Sequence, residues 1–161
     1  MTEAILSLGG NLGNREQTLR EAIAEISALK QVELVQTSSF YETVALTLAG
    51  EDENAPKFLN CVIKIDTKLT PKKLLKKLFE IENSHGRVRL ERWGPRTLDI
   101  DIIVFGSEFV QTKSLQIPHP RTHQRGFVLI PWAEIDPEAV LPGHGKVSKL
   151  AERFRSSVQE V

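Results

Sequence analysis

The first apolar positions alternate: Ala4, Leu6 and Leu8 fall on one side of Ile5 and Ser7, the period of a β-strand. The run ends in the turn-forming Gly9, Gly10, Asn11, Leu12 and Gly13. Asn14 followed by Gln17 forms a capping box, and Leu19, Ala22, Ile23, Ile26 and Leu29 then recur at helical spacing. Residues 32–42 are rich in strand formers and predict a second strand. Residues 43–57 read as a loop, with Glu51, Asp52 and Glu53 near its centre and Pro56 near its end. The third strand, 58–66, is two-faced: Leu59, Cys61, Ile63 and Ile65 on one side, Phe58, Asn60, Val62 and Lys64 on the other. Thr70 and Pro71 start a helix whose buried stripe is Leu74, Leu75, Leu78 and Ile81, stopping at Gly86. Lys72, Lys73, Lys76 and Lys77 mark its solvated face. A fourth strand spans 97–105, and Gly106 and Ser107 predict a hairpin back into Phe109 and Val110. Pro118, Pro120, Pro131 and Pro137 break residues 115–140 into loops and one short helix. Residues 148–158 predict a closing helix. The order strand–helix–strand–strand–helix–strand points to a single α+β domain, 1–161, a sandwich of the ferredoxin-like kind with a mainly antiparallel sheet.

Composition narrows the function classes. With 161 residues the chain is large enough for one stable core. Its 21 basic and 21 acidic side chains cancel, so it lacks the overall positive field of a dedicated nucleic-acid binder. The single cysteine, Cys61, lies inside an apolar run and reads as a buried core thiol, and no Cys/His spacing suggests zinc. No stretch approaches the roughly 18–20 apolar residues of a membrane span. A basic, apolar leader is also missing from the start, and the expected location is the cytoplasm.

The chemistry concentrates between residues 87 and 101. On a strand, Asp99 and Asp101 point to one side while Leu98, Ile100, Ile102 and Val104 face the core. Two carboxylates at this spacing can converge on a hard cation such as magnesium, which favours one or two carboxylates supplemented by water and phosphate oxygens. The alternative is an exposed polar face. Arg87, Arg89, Arg92 and Arg96 lie immediately upstream, and arginine forks bind phosphate oxygens bidentately. Arginines beside a metal-binding pair are what phosphoryl-group transfer requires, so the segment reads as the phosphate-and-metal site of a magnesium-dependent enzyme acting on ATP. A nucleic-acid patch competes for the arginines, but the two aspartates would oppose a polyanion. Gly9–Gly13 fits neither the P-loop nor the Rossmann fingerprint and reads as a tight turn. His85 and His144 sit beside glycines and are expected in solvent-exposed loops. His119 stands between two prolines that constrain its backbone.

The run Arg92, Trp93, Gly94, Pro95, Arg96, Thr97, Leu98, Asp99, Ile100, Asp101 closely resembles the 6-hydroxymethyl-7,8-dihydropterin pyrophosphokinase family of folate biosynthesis. The likeness extends over most of the chain, through residues 8–13, 39–43, 58–60, 86–89, 118–121 and 125–129. It implies transfer of a pyrophosphoryl group from ATP to the pterin hydroxymethyl oxygen, with release of AMP. By the same resemblance Asp99 and Asp101 would hold two magnesium ions, and Arg87 and Arg96 would clamp the transferring group. Phe58 and Phe127 would sandwich the pterin ring, Asn60 would hydrogen-bond its edge, and backbone groups of Thr43 and Leu46 would complete the pocket. Glu82, Arg89, Ile102, His119 and Arg125 match positions around ATP, and Trp93 sits on a loop that closes over both substrates. The chain departs from the family pattern at Gly10, usually serine, at Val44, which follows Thr43 where proline is frequent, and at Phe79, often polar. Two rival readings remain: a homologue that binds ATP or pterin without reacting, and an RNA-binding ferredoxin-like domain.

Overall fold

The computed structural model describes residues 1–43, 45–47, 50–52, 57–86 and 97–161, with 45–47 and 50–52 described by their backbone alone. Strand β1 (Thr2–Gly10) leads into helix α1 (Arg15–Ser27), which Asn14 caps by accepting from the Gln17 amide at 3.2 Å. This is the N-cap half of the predicted capping box, and it is the Asn14 side-chain amide, not its backbone N–H, that donates to Gln17 Oε1. The predicted strand 32–42 is two strands, β2 (Val32–Thr37) and β3 (Tyr41–Thr43). Between them Ser38 leaves the ladder, and its Oγ accepts the Val62 amide at 2.9 Å, so the hydroxyl replaces a backbone carbonyl. The predicted loop 43–57 contains a small hairpin, β4 (Ala45–Thr47) against β5 (Gly50–Asp52).

Strand β6 (Phe58–Thr67) is the longest and lies at the centre, and α2 (Pro71–Ser84) follows, capped by Thr70 with Pro71 at its first position. Strand β7 (Asp99–Phe105) pairs antiparallel with β1. The predicted hairpin after it does not form. Gly106 turns the chain with φ near +54° and its amide donates to Glu3, but β8 (Val110–Gln111) then pairs forward with β9 (Gln116–Ile117). Helix α3 (Gly126–Ile135) is the short helix expected among the prolines. Strands β10 (Val140–Leu141) and β11 (Gly145–Lys146) form a hairpin ahead of α4 (Val147–Ala151). The predicted helix 148–158 is thus one turn of α-helix and one of 3-10 helix, after which β12 (Gln159–Glu160) pairs with β3.

The main sheet runs β12-β3-β6-β1-β7, with β2 also on β6, and every pairing is antiparallel. Its first face buries Leu6, Leu8, Cys61, Ile63, Ile65, Ile100 and Ile102 against Leu19, Ala22 and Ile26 of α1 and Leu74, Leu78 and Ile81 of α2. Burial pushes the Cys61 thiol up to about 12, which makes it an inert core residue as expected. The second face buries Ile5, Val62 and Ile103 against α3 and α4. Helix α3 is apolar except for Glu134 and runs from the β7 side of the sheet to β3. Arg125 at its start reaches Asp101 on β7, while Glu134 near its end accepts from Ser39 and from the Tyr41 hydroxyl at 2.6 Å. Gly126 lets Phe154, in the 3-10 turn after α4, pack directly on the start of α3, because a Cβ there would collide with the Phe154 side chain. Among the described residues no helix is long and apolar enough to cross a membrane.

Candidate functional site

The sheet register places the polar side chains. Gly9 pairs with Asn60 on β6 and with Asp99 on β7, and Ser7 pairs with Val62 and Asp101. Directly paired residues in antiparallel strands project to one face. Asn60, Gly9 and Asp99 therefore form one row across three strands, and Asp101 stands in the next row towards α3. The two aspartates share a face, as their spacing requires, and both are half-buried. Leu98, Ile100 and Ile102 line the opposite face, as expected, but Val104 does not. A β-bulge between Ile5 and Leu6 of β1 sets Ile103 between the pairs Ile5–Val104 and Leu6–Ile102, so Val104 turns to the α3 side and Phe105 takes the core position.

A cavity of about 320 Å³ opens beside β7. Leu75, Phe79 and Glu82 of α2 form one wall, Ile100, Asp101 and Ile102 the floor, and residues 113–116 with His119 and Pro120 the other wall. Glu82 is buried, and its carboxylate accepts the Ile100 amide at 2.7 Å, which ties α2 to the strand bearing the aspartates. His119 is held by its backbone: its amide donates to Ile103 and its carbonyl accepts from the Thr122 hydroxyl at 3.0 Å. Nδ1 of the ring accepts the Arg121 amide at 3.4 Å, which leaves Nε2 to carry the proton of the neutral ring. Burial lowers the His119 pKa most. The Asp101 carboxylate opposes this, and Arg125 and Arg121 reinforce it. Arg125 approaches Asp101 at 3.7 Å and stands 5.6 Å from the centre of the Phe127 ring.

Asn60 is buried, and its amide nitrogen donates to Thr43 Oγ1 at 3.2 Å. A Cβ on Gly9 would collide with the Asn60 amide oxygen, so glycine is what lets that side chain lie over β1. Phe58 is half-buried and belongs to neither apolar cluster, whereas Phe127 packs on the rim of the second. Leu46 lies on β4 opposite Glu51. Arg87, Arg89, Arg92, Trp93 and Arg96 lie outside the described residues.

Glu82, Ile102, His119 and Asp101 thus meet at one cavity, and Thr43, Phe58 and Asn60 gather at the neighbouring end of β6 and β3. Sequence reasoning missed Lys113, Ser114 and Gln116, which carry no periodicity or motif, and assigned Leu75 to the buried stripe although it lines the cavity. One histidine expectation changes: His85 is largely covered and sits 2.9 Å from Glu25 on α1. His144 is exposed, as expected, and stacks on His123 at 4.0 Å.

The antiparallel sheet with helices packed on both faces is a ferredoxin-like α+β fold, with a cavity beside the edge strand that carries the carboxylate pair. Residues 5–137 match the family model described as 7,8-dihydro-6-hydroxymethylpterin-pyrophosphokinase (HPPK), and the chain belongs to that family. It is 44% identical over 154 residues to a 2-amino-4-hydroxy-6-hydroxymethyldihydropteridine pyrophosphokinase of Haemophilus influenzae, covering 96% of this chain and 94% of that one. A Bacillus subtilis protein of the same name is 45% identical over 132 residues, covering 82% and 77%. Among solved structures, the Plasmodium falciparum HPPK-DHPS with pterin and p-hydroxybenzoate superposes with a TM-score of 0.74 at 14% identity, and so speaks for the fold. That match covers 99% of this chain, which spans 45% of the Plasmodium one.

Proposed function

We propose that the chain transfers a pyrophosphoryl group from ATP to the hydroxymethyl oxygen of 6-hydroxymethyl-7,8-dihydropterin, releasing AMP, as a cytoplasmic enzyme of folate biosynthesis. The observation that carries this reading is the near full-length 44% identity to a pyrophosphokinase of that substrate class. The donor chemistry fits magnesium: Asp99 and Asp101 offer hard oxygens on one face of a strand, and Asp101 borders the cavity. Two bound magnesium ions would neutralise phosphate charge as the group moves.

The chain's own residues divide the remaining work. ATP takes the cavity between α2 and residues 113–120, with Ile102 on its floor and Glu82 holding the edge strand in place. His119, neutral near pH 7 because it is buried, donates from Nε2 to a phosphate oxygen. Arg125 keeps Asp101 oriented and adds positive charge. Arg87 and Arg96 clamp the transferring group, Arg89 contacts the nucleotide, and Trp93 closes over both substrates. The pterin lies between Phe58 and Phe127, its edge read by Asn60 and by the backbone of Thr43 and Leu46. Incubation with ATP, magnesium and the hydroxymethyl pterin should yield AMP in step with the pterin diphosphate. Stoichiometric ADP would mean single phosphoryl transfer and would overturn the assignment, and no reaction despite binding would mark a non-catalytic homologue.

A further inference from the structure

Arg15 occupies the first position of α1, where the helix dipole disfavours a cation. Its guanidinium is half-buried and turned away from the helix towards the excursion between β3 and β6. One nitrogen, Nη2, lies 2.7 Å from Glu42 Oε2, and the other, Nη1, donates to the Lys57 carbonyl at 2.8 Å. Glu42 is the last residue before Thr43, and Lys57 the last before Phe58. The β3–β6 ladder ends at the pair Thr43–Phe58, so the guanidinium bridges the two stems at the point where backbone pairing stops.

We propose that Arg15 is a positioning residue for the pterin pocket: it clamps both stems of the 43–57 excursion and so sets Thr43 and Phe58 at the spacing the ring requires. The inference rests on the pterin reading of Thr43, Phe58 and Asn60. The Asn60 amide, bonded to Thr43 Oγ1, links the same stem to the row of Gly9 and Asp99. Closing a loop costs chain entropy, and a two-pronged, charge-assisted contact across its base offsets that cost before the ligand arrives. Lysine keeps the charge but not the planar fork, so it serves one stem better than two.

The test measures binding of the hydroxymethyl pterin and of a non-hydrolysable ATP analogue separately, by calorimetry, with full-length protein and magnesium. Arg15→Ala should weaken pterin binding about tenfold, as when only about a tenth of the molecules hold the competent stem spacing. Arg15→Lys and Glu42→Gln should fall between it and the parent, and nucleotide affinity should stay unchanged in all three. If Arg15→Ala does not fold, the Lys and Gln variants carry the same comparison. Parental pterin affinity in the variants, or equal loss of pterin and nucleotide affinity, would overturn the clamp. A parent protein that binds nucleotide but no pterin would instead overturn the pterin reading, and the clamp with it.

Discussion

The two faces of the central sheet are built from the same strands but to different ends. On the α1/α2 face, apolar residues fill every inward position from Ala4 to Leu8 on β1 and from Leu59 to Ile65 on β6. On the α3 face the apolar run stops partway: Ile5, Val62 and Ile103 pack on the helix cluster, but Val62 shares its row with Ser7 and Asp101, and the next row is Asn60, Gly9 and Asp99. Only side-chain parity separates the two programmes, since neighbouring residues of one strand serve opposite faces. A continuous core on one side lets the other side carry unfavourable features, including two carboxylates on one face and a glycine inside a strand. Those features are affordable because the stabilising burial sits elsewhere.

The largest effect expected from breaking this division is on catalysis. Asp99→Ala and Asp101→Ala alter the polar face alone, and each should lower turnover on the order of 10²–10³-fold or more, the scale of losing a group that stabilises transition-state charge. Asp101→Ala also removes one partner of Arg125, so its melting temperature is measured beside its turnover. Near-parental activity in both at saturating magnesium would rule out the metal site.

The converse change is Leu78→Ala, a fully buried side chain on the α2 side. It should cost about 2–5 kcal/mol of stability in a denaturant titration, through lost burial and the cavity left behind. Turnover measured well below the melting transition should stay near the parental value. A variant that keeps its stability but loses activity would show the two faces to be coupled.

The smallest effect concerns His119, which sits where the faces meet at the edge of β7. Burial holds its pKa below the ordinary imidazole value of 6.5, so the unfolded chain binds the proton more readily. Stability from this group is fully present above pH 6.5 and declines as the pH falls through the window down to the lowered value. The melting temperature of the parent should therefore fall on mild acidification, and His119→Asn should flatten that part of the profile. An unchanged slope in the variant would place the acid sensitivity in another group.

Much of this division was legible in the chain. The alternation in residues 58–66 assigned both faces of β6, the Asn14–Gln17 box and the Thr70–Pro71 pair located the helix starts, and the spacing of Asp99 and Asp101 put them on one side. Such signals are local, arising from side-chain parity, capping and helical periodicity, and they survive whatever the rest of the fold does. The particular roles of Phe58, Asn60 and Phe127 came only from the family resemblance, because a stacking aromatic and a core aromatic look alike in one sequence.

What tertiary structure alone decided depends on partners distant in the chain. Strand 32–42 breaks at Ser38 because its hydroxyl meets the Val62 amide, and Val104 changes face because of a bulge in pairing with β1. Residues after Gly106 pair forward with β9, and the C-terminal segment ends as a strand on β3. The cavity wall at residues 113–116 exists only because that segment lies opposite α2. Local propensity determines which elements form, but register, bulges and the meeting of remote segments are set by which hydrogen bonds and apolar surfaces the assembled sheet leaves to be satisfied.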